Sequence, residues 1–351
     1  MAPVVMALRE REMVDVRVLA TAQHRELLDQ VLSLFGICPD IDLDIMQKNQ
    51  SLTELTSRLM LKLGHCFLEE RPDVVLAQGD TTTVMVSALA AFYHKIPFGH
   101  VEAGLRTGNL FNPFPEEMNR IVTGHITRWH FAPTKSAKNN LLREGIASEN
   151  IFVTGNTVVD ALLKVSEELD GKREEIPDGD KKRILVTAHR RENFGAPFRE
   201  ICRAIKYLAD QREDIVFTFP VHPNPNVKNV VAEMLSGHDR IDLVEPMDYL
   251  PFVAAMKSAH LILSDSGGVQ EEAPALGKPV LVLRNETERP EAVEAGVVKL
   301  VGASFDRIVQ SVIELLDHPK IYRDMAKGVS PYGDGRAAGR IVKIIVNSNM
   351  V

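Results

Sequence analysis

The feature that most constrains this chain is a recurrence of short, nearly unbroken apolar runs, each followed by a stretch with apolar residues three and four apart. Val74-Val75-Leu76 and Pro279-Val280-Leu281-Val282-Leu283 show no polar–apolar alternation, so both faces of such strands must be covered. Strands of that kind belong to parallel sheets whose crossovers are helices. The predicted strands are residues 16–21, 73–78, 96–101, 129–132 and 151–154 in the first half. In the second half they are residues 183–188, 216–220, 241–244, 261–264, 279–283 and 299–301. Helical spacing marks residues 25–35, 52–70, 82–93, 135–143 and 198–211, with a last helix over 337–347.

Residues 170–182 break the alternation with a polar run that contains Gly171 and Pro177-Asp178-Gly179, which is linker composition. The expected organisation is a first domain over 1–169, the linker 170–182, a second domain over 183–335, and a C-terminal helix within 336–351 that could pack back on the first. The fold class is α/β: two Rossmann-like, doubly wound domains facing a cleft, with ligands outside the carboxyl ends of the strands. The start is unusual. Residues 1–11 have helical spacing (Val4, Val5, Leu8), although an α/β half normally opens with a strand.

Composition closes several other routes. The chain has 351 residues, more than one domain of roughly 100–150 residues accounts for. Hydrophobic residues are 45% and charged residues 25%, which is globular usage. The formal charge of −7 disfavours a nucleic-acid partner, while leaving room for a local phosphate pocket. No apolar run reaches the ~20 residues of a membrane helix, and no signal-peptide core stands at the N-terminus. Cys38, Cys66 and Cys202 are too scattered for a disulfide framework or a zinc knuckle. The expectation is a cytoplasmic protein without a metal.

Polar residues cluster where strands end. Gly79-Asp80-Thr81-Thr82-Thr83 follows the second strand; Asp80 is either a helix cap or a carboxylate displayed toward a ligand. His100-Val101-Glu102-Ala103-Gly104-Leu105-Arg106 follows the third, with Glu102 and Arg106 as an ion pair or Glu102 as a catalytic group. Pro115-Glu116-Glu117 suits a first helical turn, yet Glu116 adds a third acid at a crossover of the same half. In the second half His189-Arg190-Arg191-Glu192-Asn193 favours an anion, and His222 is a ligand contact or a loop histidine. Ser266-Gly267-Gly268 opening a helix presents backbone N–H groups to an anion, with Glu271 and Glu272 one turn on and Arg289 further along. There is no GxxxxGK[ST] and no GxGxxG after a strand, so neither a Walker loop nor a standard NAD site is supported.

Together, Gly79–Thr83, His100–Thr107, Pro115–Arg120, His189–Asn193, Asp265–Ala273 and Thr287–Glu291 closely resemble the non-hydrolysing UDP-N-acetylglucosamine 2-epimerases, over essentially the whole chain. The resemblance implies a glycosyltransferase-B-like architecture and a cytoplasmic homodimer. It also implies interconversion of UDP-N-acetylglucosamine and UDP-N-acetylmannosamine, without a cofactor, for cell-surface polysaccharide synthesis. It places Asp80, Glu102, Glu116 and His189 at catalytic positions. It places Arg120, Arg190, Ser266, Gly267, Gly268, Glu271, Glu272 and Arg289 around the UDP-sugar, with Glu272 at the ribose. Gln23, Arg58 and His222 fall near a second, activating substrate site. Family members open with a strand and a Gly-Thr-Arg-Pro-Glu loop before a Met-Ala-Pro helix; this sequence starts at Met1-Ala2-Pro3. The expectation is therefore a late start codon or a first domain short of a strand.

Inverting carbon 2 of such a sugar is difficult because no carbonyl acidifies its hydrogen. Loss of that proton together with UDP would give a glycal, to which UDP and a proton are re-added. The route needs carboxylates on both ring faces and cations for the departing diphosphate. The alternatives are an epimerase of a modified UDP-sugar, such as a UDP-2,3-diacetamido uronic acid, a hydrolysing epimerase, a glycosyltransferase, or an inactive UDP-sugar-binding homologue.

Overall fold

The structure, a computed structural model, describes residues 1–21, 25–47, 50–170, 181–287 and 289–348, without side-chain detail at 25–28. The chain forms two compact units: unit 1 is Met1–Ala161 with Tyr332–Val351, and unit 2 is Leu162–Pro331. Of the expected linker, residues 171–180 lie outside the described residues.

Unit 1 holds a parallel pair, β1 (Leu19–Ala20) and β2 (Ile41–Asp42). It also holds a parallel four-stranded sheet in the order β3 (Val75–Gln78), β4 (Phe98–Val101), β5 (Trp129–Ala132), β6 (Ile151–Val153). Every residue of β4 and β5 is buried, His100 and His130 included, as strands covered by helices on both faces require. One apolar cluster joins Leu55, Leu59, Leu63 and Phe67 of the helix Leu52–Glu70 to Val84, Val86, Ala88 and Ala91 of the helix Thr82–Tyr93 and to Phe98. A second cluster brings Val4 and Leu8 of the helix Ala2–Arg9 together with Val101, Trp129 and Phe131. The same cluster takes in Ile341, Val342 and Ile345 of the helix Ala337–Asn347, so this last helix packs on unit 1. Asp160 fixes its start by accepting from the backbone N–H groups of Ala337 (3.2 Å) and Ala338 (2.8 Å), two donors that the helix itself leaves open.

Unit 2 is one parallel sheet, with β7 (Lys182–Thr187), β8 (Ile215–Pro220), β9 (Ile241–Val244), β10 (Leu261–Ser264), β11 (Val280–Val282) and β12 (Val298–Leu300). Its order, β12-β11-β10-β7-β8-β9, is the doubly wound one, and the winding reverses between β7 and β10. Phe198, Ile201, Ile205 and Leu208 of the helix Ala196–Gln211 and Ile308, Val312 and Leu315 of the helix Phe305–Asp317 share one core with Phe217, Phe219 and Leu263. At the reversal, the hydroxyls of Thr187 and Ser264 lie 2.7 Å apart and tie the two strand ends together.

The α/β reading with parallel sheets holds in both units. Two strand expectations are corrected. The first predicted strand, residues 16–21, contracts to β1, because the Asp40 carboxylate takes the Val18 N–H (2.7 Å) just before β1 begins. β2 was not expected: Ile41-Asp42-Leu43-Asp44 sets an aspartate at every second position, and Asp42 is exposed. Among the described residues, no helix is long and apolar enough to cross a membrane.

Candidate active site

In unit 1, β3 ends at Gln78 and turns through Gly79, whose φ of +90° favours glycine. His100, inside β4, holds that turn from beneath, its Nε2 2.7 Å from the Gly79 carbonyl oxygen. Burial pulls the His100 pKa down to about 4, so the ring is neutral and, facing a carbonyl, carries its proton on Nε2. Its cross-strand neighbour His130 is drawn down to about 3, first by burial and then by His100, so this pair adds no charge beneath the site.

The turn delivers Asp80. One of its carboxylate oxygens, Oδ2, accepts from Nε (3.1 Å) and Nη2 (2.6 Å) of Arg120. Its backbone oxygen accepts from Asn119 Nδ2 at 2.9 Å. Glu102 follows β4 directly with φ +66°, a left-handed conformation that costs a non-glycine residue of order 1 kcal/mol. Its Oε2 accepts from Gln78 Nε2 at 3.1 Å. Arg106 is not its partner; the guanidinium pairs with Glu144 through two bonds of 2.7 and 2.8 Å, which sets aside the simple Glu102–Arg106 ion pair. Glu116 opens the helix Glu116–Ile126, half-buried and without a hydrogen bond or ion pair among the described residues.

In unit 2, the reversal point carries Asp265, fully buried. Its carboxylate accepts from the backbone N–H of His189 (2.9 Å), the backbone N–H of Arg190 (2.9 Å) and Asn193 Nδ2 (3.0 Å), so it shapes the whole loop after β7. The His189 ring stacks on His222, centroids 5.3 Å apart and 12° from parallel. Burial lowers the His189 pKa, with His222 and Arg190 acting in the same sense and Asp265 opposing, so the ring is neutral near pH 7. The Arg190 side chain is half-buried, with no partner among the described residues.

After β10, the Ser266 N–H bonds to Ser264 Oγ (3.0 Å), and no side chain caps the short helix Gly267–Glu272. Its first N–H groups therefore stay open to an anion. A Cβ on Gly267 would sit 3.0 Å from the Arg289 guanidinium, so glycine is what lets that cation lie over the turn. Arg289 Nε donates to Glu271 Oε1 at 2.7 Å, and the Arg289 backbone N–H bonds to Thr287 Oγ1 at 3.0 Å. Glu272 is buried and accepts from the Tyr249 hydroxyl at 2.9 Å. Burial, reinforced by Glu271, pushes its pKa up to about 7 against the pull of Tyr249.

The sequence-derived residues thus fall into two sets: Asp80, Glu102, Glu116 and Arg120 in unit 1, and His189, Arg190, Ser266, Gly267, Gly268, Glu271, Glu272 and Arg289 in unit 2. Of the second-site residues, Arg58 in unit 1 is held by Gln47 and Gln50, and His222 is exposed in unit 2. Gln23 lies outside the described residues. Sequence alone reads Glu117 only as an acid of a first helical turn and gives no role to Asp265 or Tyr249. Asp265 stood inside a quoted segment, and its acid before Ser-Gly-Gly was a usable signal; Tyr249 left none.

A family model described as UDP-N-acetylglucosamine 2-epimerase matches residues 6–346. The UDP-N-acetylglucosamine 2-epimerase of Yersinia pestis is 52% identical over 356 residues, covering 99% of this chain and 95% of that protein. The crystal structure of the Neisseria meningitidis UDP-GlcNAc 2-epimerase bound to UDP-GlcNAc aligns with a TM-score of 0.89 at 49% identity, covering 99% of this chain and 96% of that one. The Staphylococcus aureus MnaA–UDP structure aligns with a TM-score of 0.89 at 45% identity, covering 100% and 93%.

Proposed function

The chain belongs to the UDP-N-acetylglucosamine 2-epimerase family, and from that premise we propose that it interconverts UDP-N-acetylglucosamine and UDP-N-acetylmannosamine by elimination and re-addition of UDP. The observation that carries this mechanism is the chemistry at the strand ends: half-buried carboxylates in unit 1, open N–H groups and arginines in unit 2.

A carboxylate takes the proton from carbon 2, and the C–H electron pair becomes the C1–C2 double bond. The C1–O bond breaks toward UDP, which leaves with those electrons. Return of UDP to carbon 1, with a proton delivered to the opposite face of carbon 2, completes the inversion. Asp80 and Glu116 share the proton transfers in this reading, and Glu102 orients them. Glu116 suits this because nothing among the described residues occupies its oxygens. His189 assists the diphosphate's departure as a neutral hydrogen-bonding group. The Ser266-Gly267-Gly268 turn, Arg190 and Arg289 meet the charge that develops on the diphosphate. Glu271 holds Arg289 over the turn, and Glu272 accepts from the ribose hydroxyls.

The product is a precursor for cell-surface polysaccharide, made in the cytoplasm by a homodimer; the free thiols of Cys38, Cys66 and Cys202 suit a reducing compartment. Arg58 and His222 contribute to an activating substrate site, which rate curves sigmoidal in UDP-N-acetylglucosamine would support. The deciding experiment is incubation with UDP-N-acetylglucosamine in deuterated water, following carbon 2 by NMR. Deuterium enters with inversion in the native enzyme and is lost with Asp80→Asn or Glu116→Gln. Full exchange by Asp80→Asn rejects Asp80 as a proton carrier, and free N-acetylmannosamine as product rejects the non-hydrolysing route.

A further inference from the structure

The helix that presents Glu116 carries a second glutamate beside it, and the two side chains have opposite environments. Glu117 is 1% exposed. Its Oε1 accepts from the backbone N–H groups of Thr107 (3.0 Å) and Gly108 (2.9 Å), and its Oε2 from Arg120 Nη1 (3.0 Å). Arg120, one helical turn on, spends its other edge on Asp80 Oδ2. One guanidinium thus spans two carboxylates, one buried and one half-buried. Asp80 Oδ1 has no partner among the described residues.

The geometry points to Glu117 as a positioning residue for the reaction. It fixes the Arg120 rotamer, so that Arg120 binds Asp80 through Oδ2 alone and leaves Oδ1 as the oxygen that exchanges the carbon 2 proton. This rests on the function proposed above and deepens it.

Three physical points support the assignment. A buried carboxylate is unfavourable unless its charge is used, and a helix start needs only the acid at Glu116 for its dipole. An arginine left with one partner has several rotamers that still reach Asp80; a second fixed partner at i−3 removes them. Glu117 also pins the Thr107–Gly108 backbone, tying the segment after Glu102 to the same guanidinium. The other charged and titratable groups around the turn are His100 beneath Gly79 and Arg106, itself held by Glu144. Arg120 thereby takes a different place from the substrate contact that the sequence suggested, and the two roles differ in kinetics.

The test is a double-mutant cycle on kcat and KM for UDP-N-acetylglucosamine, with carbon 2 exchange measured in parallel. Glu117→Gln keeps an acceptor for Thr107 and Gly108 but loses the charge facing Arg120. We expect kcat to fall about 10- to 100-fold, with KM within about threefold of native. Arg120→Met should fall at least as far, and the double variant no further than Arg120→Met alone, because Glu117 acts through Arg120. A purely structural Glu117 would give losses that multiply, and a substrate-binding Arg120 would raise KM with kcat retained; either result overturns the proposal. Should Glu117→Gln fail to fold, Arg120→Lys, which cannot span both acids, carries the test: kcat must drop, and a native kcat refutes the bridge. Absence of carbon 2 exchange in the native enzyme would instead refute the proposed function itself.

Discussion

Glu272→Gln isolates what a buried carboxylate does to its own domain. Burial lifts the Glu272 pKa from 4.5 to about 7, so folded unit 2 keeps a proton there that the unfolded chain releases. Between those two values the native state binds more protons than the unfolded one, and stability falls as pH rises. Below about pH 4 both states are protonated and Glu272 contributes no difference; above about pH 8 the loss is complete. At about 1.4 kcal/mol per tenfold change in proton affinity, the full loss is about 3 kcal/mol. Glutamine still accepts the Tyr249 hydroxyl without a charge to desolvate. Glu272→Gln should therefore raise the unit 2 melting temperature by roughly 5–10 °C at about pH 8.5 and by little at about pH 4.5. Thermal melts of variant and native protein at matched pH provide the assay, since taking their difference cancels every other titration. A difference that stays flat across that range refutes the reasoning. On the proposed assignment of Glu272 to the ribose hydroxyls, which would favour the ionised carboxylate, UDP affinity should rise through neutral pH in the native protein and lose that rise in Glu272→Gln, as calorimetry would register.

Two further substitutions probe the proposed anion cradle. Gly267→Ala puts a methyl group 3.0 Å from the Arg289 guanidinium and should push it off Glu271, weakening UDP about tenfold by calorimetry. Asp265→Ala strands the N–H groups of His189 and Arg190 and the Asn193 amide in a buried place, and should cost about 3 kcal/mol or more in urea unfolding, along with most of kcat; native stability would contradict the hydrogen-bond account.

The fold was legible because parallel sheets impose a pattern that one strand reveals by itself. Val280–Val282 reads as a buried strand without knowledge of its neighbours, and the helices Leu52–Glu70, Thr82–Tyr93 and Lys135–Arg143 run over the expected residues. β2 was invisible because two residues hold no period, and its aspartate argues against a strand. The strand-end placement of the candidate residues was legible in the same measure. Asp80, Glu102 and His189 follow strands, and that position alone marks them. What sequence could not give is who holds whom. Arg106 chooses Glu144 over Glu102, and Tyr249 finds Glu272 across 23 positions of sequence. Which of two adjacent glutamates is buried was equally hidden, because Glu116 and Glu117 differ only in the helix face that the fold assigns them.

The second apolar cluster of unit 1 joins Val4 and Leu8 to Ile341, Val342 and Ile345. During synthesis, residues 1–161 therefore leave the ribosome with Trp129 and Phe131 still lacking the helix that covers them, and must wait for the intervening 170-odd residues to be translated. Unit 2, whose strands and core are contiguous in the chain, can be finished while its neighbour is still an exposed half-product. Chaperone demand during expression should consequently concentrate on the earlier-made segment, and nonsense mutations that remove only the final helix should yield aggregated rather than merely inactive protein.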